Sequence, residues 1–332
     1  MRSGRTSCFV SRSDPPAGRR RRGGRGRGQL DRAGGRMKRW SDKAERGSAW
    51  LIALIVWLAR VAGRPLCRGL LYPIVFYFVA TDATARRASA EFLATVNGRP
   101  ARLRDIFAHI YSFAATLLDR VYMAAGEFDR FEVTIEGLPL VDRLTEGGRG
   151  CVLLGSHLGS FDLLMLAHRA MDGRPVSVMM QFDPRARLRR IAGIDEHALN
   201  VIALGRPESY LRAHEALERG EIVGLLADRV DGAGASLPAQ FFGKRALLPV
   251  APHVLAARAQ APVVMCFGLY EGGNRYRIEF AEFGPAAPGS ARGAALQPVV
   301  DRYASLLEQY ARRYPLNWFN FYPYWAASEG PA

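Results

Sequence analysis

A histidine and an aspartate five residues apart, His157 and Asp162, follow a short apolar run and precede an amphipathic stretch. On one continuous helix they would diverge by about 140° and could not meet. They can meet if His157 lies on a strand-to-helix turn, with Gly159 permitting the turn and Ser160 capping the helix. An imidazole held by a carboxylate is a general base that activates a hydroxyl. The alternative is an ordinary loop in which Asp162 merely favours the helix dipole.

The segments around this pair alternate between strand-like and helix-like patterns. Strands are predicted at 131–136, 151–154, 175–180, 202–204, 221–226, 261–270 and 276–283, and helices at 102–127, 160–171, 208–218, 250–260 and 299–314. This alternation predicts an α/β fold in which a mixed, mostly parallel sheet is flanked by helices.

Composition and charge narrow the functional classes. Hydrophobic residues make up 49% of the 332 residues, which excludes a wholly disordered chain. Lys and Arg outnumber Asp and Glu by 46 to 31, yet residues 1–36 hold 11 arginines against two aspartates. The rest of the chain, with 35 bases and 29 acids, is only mildly basic, so nucleic acid is not expected as a partner. The four cysteines form no C-x-x-C pair, and no metal site is predicted.

The chain is expected to have three parts. Residues 1–36 are rich in Arg and Gly and should be disordered, either as sequence preceding a true start at Met37 or as an RNA-binding arm. Residues 37–80 contain two apolar runs, 48–59 and 70–80, each too short to span a bilayer. Residues 81–332 form the remaining domain.

The segment 37–80 is predicted to be a membrane-associating helix or helical hairpin. Arg60, Arg64 and Arg68 recur every four residues, so on a helix they share one stripe and would contact lipid phosphates. Pro65 and Pro73 interrupt a continuous span. A single transmembrane helix and a buried core helix are the alternatives.

The motifs, taken in order, resemble a known family. After the N-terminal segment come GSHLGSFD with the His157-x-x-x-x-Asp162 spacing, GLLADRV at 224–230, AQFFGKRALLPVAPHVLAARAQAPVV at 239–264 and PLNWFNFYPYW at 315–325. This order resembles the bacterial lipid A late acyltransferases, within the glycerolipid and lysophospholipid acyltransferase superfamily. That branch usually carries Glu where this chain has Asp162, whereas the wider superfamily uses Asp.

The resemblance implies a glycerolipid acyltransferase-like fold and assigns roles to particular residues. His157 would deprotonate the acceptor and Asp162 would orient His157. Backbone N–H groups near Gly155–Gly159, or Arg229, would stabilise the oxyanion, and Gly159 and Ser160 would help to bind substrate. Asp228 would fix Arg229, which would bind phosphate or pantetheine. The remaining candidates are an anion site at Arg206 and an acyl-channel loop with its head-group contact at Phe241, Phe242, Gly243 and Lys244; for each, core packing or surface charge is the alternative.

The expected function is transfer of a fatty acyl chain from an acyl-thioester, on acyl carrier protein or coenzyme A, to a hydroxyl of a lipid or glycolipid. No other cofactor is expected, and the expected location is the cytoplasmic face of a bacterial inner membrane. Two alternatives stay open: a thioesterase or lipid hydrolase that uses the same pair on water, and a non-catalytic membrane- or RNA-binding protein.

Overall fold

The computed structural model describes residues 49–160, 163, 171, 173–181, 200–206, 208–230, 234–284, 287 and 292–325. The tail 1–36, Asp162 and most of the predicted helix 160–171 lie outside these residues.

A seven-stranded mixed sheet forms the centre of the described fold. The strands, in chain order, are β1 Glu132–Glu136, β2 Cys151–Gly155, β3 Val176–Gln181, β4 Asn200–Leu204, β5 Ile222–Leu226, β8 Val263–Gly272 and β9 Arg275–Gly284, with β6 Ser236–Phe241 and β7 Lys244–Pro249 in a separate hairpin. The spatial order is β1-β9-β8-β2-β5-β3-β4. The strands from β8 to β4 run parallel, and the β8–β9 pair is antiparallel.

Helices cover both faces of this sheet, as the alternating pattern predicts. They are α1 Ala49–Thr81, α2 Ala83–Asn97, α3 Leu103–Ala124, α4 Leu138–Leu144, α5 Ser209–Glu218, α6 Ala251–Arg258 and α7 Gln297–Arg313. Successive residues of β2 belong to different cores: Val152 and Leu154 pack with α5, α6 and α7, whereas Cys151 and Leu153 pack with α3 and α4. A strand buried on both faces reads as a continuous apolar run, which is why β2 stands out in the sequence.

The residues Phe241 to Lys244, which were expected as a loop, form the turn of the hairpin β6–β7, whose strands were not predicted. Phe241 ends β6 and Lys244 begins β7, and the two residues between them both have positive φ, 54° at Phe242 and 71° at Gly243. This is the geometry of a two-residue hairpin turn whose backbone twist matches the strands. A large aromatic residue is rare in the left-handed region, so a two-residue hairpin turn was not predicted at Phe242.

Helix α1 contradicts one expectation about its arginines. It breaks at Gly63, whose φ is 75° and ψ 163°. Beyond the break, Arg64 and Arg68 turn inward to the fully buried Asp119, at 2.7 and 3.2 Å. The expectation that these two side chains bind lipid phosphates is wrong, because a buried carboxylate requires cationic partners inside the protein. They tie α1 to α3.

Many of the exposed side chains of α1 are apolar, and we call them the apolar surface below: Val61, Leu66, Leu70, Tyr72, Ile74, Phe76, Tyr77 and Phe78. Among the described residues no single helix has the length and apolar character to cross a membrane; the helix 63–81 together with α2, bent by 94°, meets both criteria as a pair.

Candidate active site

The strand register brings His157 and Asp228 together. Strands β2 and β5 are parallel neighbours in which Gly155 is level with Leu226. Two residues beyond those positions, at the carboxyl ends of the strands, lie His157 and Asp228. Neighbouring strands are about 4.8 Å apart, so side chains at level positions are within hydrogen-bonding reach. The sheet therefore pairs two residues that are 71 positions apart in the chain.

Two hydrogen bonds join this histidine to this aspartate. The distance from His157 Nδ1 to Asp228 Oδ1 is 2.9 Å, and the backbone N–H of His157 donates to Oδ2 over 3.1 Å. The Asp228 side chain is fully buried, whereas 29% of the His157 side chain is exposed. A carboxylate accepts from Nδ1–H, which leaves the Nε2 lone pair as the basic site of the neutral ring.

Asp228 lies in an environment that keeps it ionised. Burial alone would raise the pKa of this carboxyl group, but the charge and hydrogen bond of His157, the charge of Arg229 and the hydrogen bond from Asn320 outweigh it and lower the pKa to about 2. Tyr324 adds a hydrogen bond from its hydroxyl to the backbone carbonyl of Asp228 at 3.0 Å. The carboxylate therefore keeps its charge at neutral pH.

Arg229 is held in a fixed position beside the pair. Its Nε donates to Asn320 Oδ1 over 2.6 Å and its Nη2 to the carbonyl of Phe319 over 3.1 Å. Its guanidinium carbon lies 5.3 Å from the ring centre of Tyr322, a cation–π contact. All three partners belong to residues 315–325, which we call the C-terminal strap.

The strap also fixes the turn that carries His157. Gly159 N–H donates to the carbonyl of Asn317 over 2.7 Å, and Phe319 N–H donates to that of His157 over 2.8 Å. Gly159 has a φ of +83°, and a Cβ there would lie 2.0 Å from the carbonyl oxygen of Gly268. Only glycine permits both the conformation and the close approach to β8.

These bonds bear on the choice of oxyanion donors. The N–H groups of His157, Leu158 and Gly159 donate to Asp228 Oδ2, Ser156 Oγ and the Asn317 carbonyl. Protein acceptors take these three donors, and the Nε and Nη2 of Arg229 also donate to the strap. We favour Arg229 as the oxyanion group because its guanidinium carries a full positive charge.

A comparison with known protein families gives a match over most of the chain. The family model of bacterial lipid A biosynthesis acyltransferases matches residues 38–327. The chain belongs to this family. It is therefore an acyltransferase, as the resemblance in the motifs implied. A comparison with curated proteins gave no match.

Three other residues predicted for the acyltransferase site lie in different environments. Arg206 follows β4, at the edge of the sheet, three strands or about 14 Å from β2. Phe241 is buried, with its ring centre 5.2 Å from that of Trp318. Lys244 pairs with Glu91 at 2.9 Å. Substrate contacts of these residues, and of Phe242, Gly243 and Ser160, stay predictions.

Two aromatic side chains of the strap pack in the core. Trp318 is fully buried and stacks on Phe92 with ring centres 5.6 Å apart, and Phe319 is also buried. Among the described residues, no group of three His, Cys, Asp or Glu side chains converges in a way that could hold a metal ion.

Sequence reasoning missed two features of the site. It assigned Asp228 to Arg229 rather than to His157, and it did not consider Asn320. Both asparagines of the strap, Asn317 and Asn320, are buried. Two amides in an otherwise apolar and aromatic segment were the available signal, since buried amides must be hydrogen-bonded.

Proposed function

We propose that the enzyme transfers a fatty acyl chain from an acyl-thioester to a hydroxyl of a lipid or glycolipid, as in lipid A biosynthesis, with His157 as general base and Asp228 as its orienting carboxylate. The donor is acyl carrier protein or coenzyme A. The observation that carries the proposal is the 2.9 Å contact between Nδ1 and the buried Asp228, because it fixes the tautomer in which Nε2 accepts a proton.

The reaction follows from that tautomer. Nε2 takes the hydroxyl proton while the hydroxyl oxygen attacks the thioester carbonyl carbon. Arg229 stabilises the oxyanion of the tetrahedral intermediate. When the intermediate collapses, the carbon–sulfur bond breaks, the new ester forms, and the imidazolium returns its proton to the thiolate of the donor. Asp228 stays ionised throughout and stabilises the imidazolium, which exists only between the two proton transfers.

Asp162 keeps a separate place in the proposal. The sequence assigned the orienting role to Asp162, which lies outside the described residues; we assign it to Asp228 because of the 2.9 Å contact at Nδ1. The alternative, in which Asp162 orients His157, stays a prediction. Substitution of each aspartate separately distinguishes the two assignments.

We propose that the enzyme associates with the cytoplasmic side of the inner membrane. The apolar surface of α1 supports the membrane association, because a cluster of exposed aromatic and aliphatic side chains is typical of an interfacial segment. We expect Leu66→Glu to weaken binding to vesicles of bacterial phospholipid by about tenfold. The matched control is Leu211→Glu on α5, because both leucines are 58% exposed. Equal binding of the two variants in a flotation assay would contradict this part of the proposal.

An acyl-transfer assay tests the function itself. Detergent-solubilised protein is given radiolabelled acyl carrier protein or coenzyme A thioesters, with and without a bacterial lipid extract. The proposal predicts a labelled lipid whose mass identifies the acceptor. Label released only as free fatty acid, at a rate independent of added lipid, would instead support the thioesterase alternative.

A further inference from the structure

The uncharged side chain of Asn320 bridges two charged residues of the site, Asp228 and Arg229. Its side-chain amide is buried, with 2% of the residue exposed. Nδ2 donates to Asp228 Oδ2 over 3.1 Å, and Oδ1 accepts from Arg229 Nε over 2.6 Å. Rotating the amide by 180° would direct its carbonyl at the carboxylate and its NH₂ at the guanidinium. The charges on either side therefore fix its orientation.

We propose that Asn320 is a positioning residue for the general base: it holds the Asp228 carboxylate in the rotamer that meets His157, and it holds Arg229 toward the oxyanion. The inference rests on the function proposed above. Asp228 and Arg229 are neighbours in the chain and carry opposite charges, so their side chains attract each other. An amide between them satisfies both charges and leaves Asp228 Oδ1 directed at the imidazole.

Few residues can do this. The group must be neutral, must donate on one side and accept on the other, and must fit a buried space. Aspartate offers only acceptors when ionised, and glutamine is longer by one methylene, which a packed interior resists.

The backbone around Asn320 is fixed from two sides. Phe319 N–H donates to the His157 carbonyl, and His109 on α3 contacts the Trp318 carbonyl at 2.7 Å through Nε2. His109 Nδ1 lies 2.8 Å from Ser89 Oγ on α2. A carbonyl can only accept, so Nε2 carries the proton and Nδ1 accepts from the serine hydroxyl. The strap therefore presents the Asn320 amide from a rigid support.

The first test compares Asn320→Ala with Asn317→Ala. Each removes a buried strap amide with two hydrogen bonds, but Asn317 bonds the backbone of Tyr270 and not Asp228 or Arg229. We expect Asn320→Ala to lower kcat per folded enzyme by about 10- to 100-fold with little change in KM, the factor that corresponds to losing hydrogen bonds to charged groups. Asn317→Ala keeps the backbone carbonyl that accepts from Gly159, and we expect its loss of kcat to be at least about fivefold smaller than that of Asn320→Ala. Equal losses in both variants would show that Asn320 only supports the strap.

The second test uses pH with Asn320→Asp. The new carboxylate keeps an acceptor for Arg229 but faces Asp228, and two adjacent carboxylates share a proton as the pH falls. Once protonated, Asp at this position donates as the amide did. The other groups that face Asp228 are His157, Arg229, Tyr303 and Tyr324; burial raises the pKa of both tyrosines well above 10.

The readout is the ratio of variant to wild-type kcat, because the ratio removes the pH effects that the two proteins share. We expect this ratio to rise at least about fivefold between pH 8.5 and pH 6. A ratio that does not change with pH would overturn the inference. His157→Ala, assayed in parallel, distinguishes failure of the proposed function from failure of the positioning role. If His157→Ala stays active, the proposed function fails. If His157→Ala is inactive but the Asn320 variants have the kcat of the wild type, only the positioning role is refuted.

Discussion

Replacing Asp228 by Asn tests the electrostatic part of the site. Oδ2 of Asp228 accepts from two donors, the His157 N–H and Asn320 Nδ2, whereas Oδ1 accepts from His157 Nδ1 alone. An amide will place its single oxygen where two donors converge and its NH₂ group against Nδ1. The imidazole must then accept at Nδ1 and carry its proton on Nε2, so it cannot act as a base.

The magnitude follows from the distance. Two unit charges 2.9 Å apart attract by roughly 6 kcal/mol at an effective dielectric constant of about 20. Water reaches the imidazole, since 29% of the His157 side chain is exposed, and we take about 4 kcal/mol for the imidazolium in the transition state. This corresponds to about a 10³-fold loss of kcat, to which the wrong tautomer adds.

The assay is acyl transfer under saturating donor, with the folded fraction measured for each variant. Asp142→Asn is the matched control, because Asp142 forms an exposed ion pair with Arg174 at 3.2 Å and should leave kcat unchanged. Asp228→Asn within tenfold of wild type would refute the reasoning. A large loss in Asp162→Asn alone would return the orienting role to Asp162.

Three further predictions concern the structure that supports the site. Gly159→Ala should lower the melting temperature and should lower kcat by more than about tenfold, because its Cβ would meet a backbone oxygen at 2.0 Å. Gly126→Ala is the control for backbone strain alone, since Gly126 has a φ of +78° and nothing within 4 Å of the position that a Cβ would take. Equal effects of the two variants in thermal melts and assays would contradict the argument. Asp119→Ala should lower the free energy of unfolding by about 3–5 kcal/mol in chemical denaturation, since Arg64 and Arg68 would lose their carboxylate partner. A decrease under about 1 kcal/mol would be inconsistent with a buried ion pair. Burial lowers the pKa of His109 and of His253 to about 4, so the unfolded chain binds more protons than the folded chain between about pH 6.5 and 4. The free energy of unfolding should therefore fall by about 2 kcal/mol for each histidine from pH 7.5 to 5. Denaturant unfolding curves that do not shift in this range would refute this prediction.

Much of the fold could be predicted from the sequence, because parallel strands buried on both faces form continuous apolar runs. Strands β2, β5 and β8 appear as apolar runs bounded by polar or glycine residues, and the predicted segments overlap the observed ones. The candidates His157 and Asp228 were both recognised because each follows such a run, and ligands of α/β sheets gather at carboxyl ends of strands.

The pairing of His157 with Asp228 could not be predicted from the sequence. It depends on β5 lying next to β2, and the spatial order of parallel strands is not encoded in any local pattern. The local spacing of His157 and Asp162 offered a nearer carboxylate, so the long-range partner was overlooked. Arg64 and Arg68 were misread for the same reason: a stripe of arginines looks the same whether it faces lipid or a buried Asp119.

The central claim is that Nε2 of His157 takes the proton of the acceptor. The most direct test is the rate of acyl transfer by His157→Ala, measured with and without added imidazole. We predict a loss of at least about 10³-fold, with saturable and partial recovery as imidazole enters the space beside Asp228. A variant that transfers acyl chains within tenfold of wild type, in the absence of imidazole, would contradict the account.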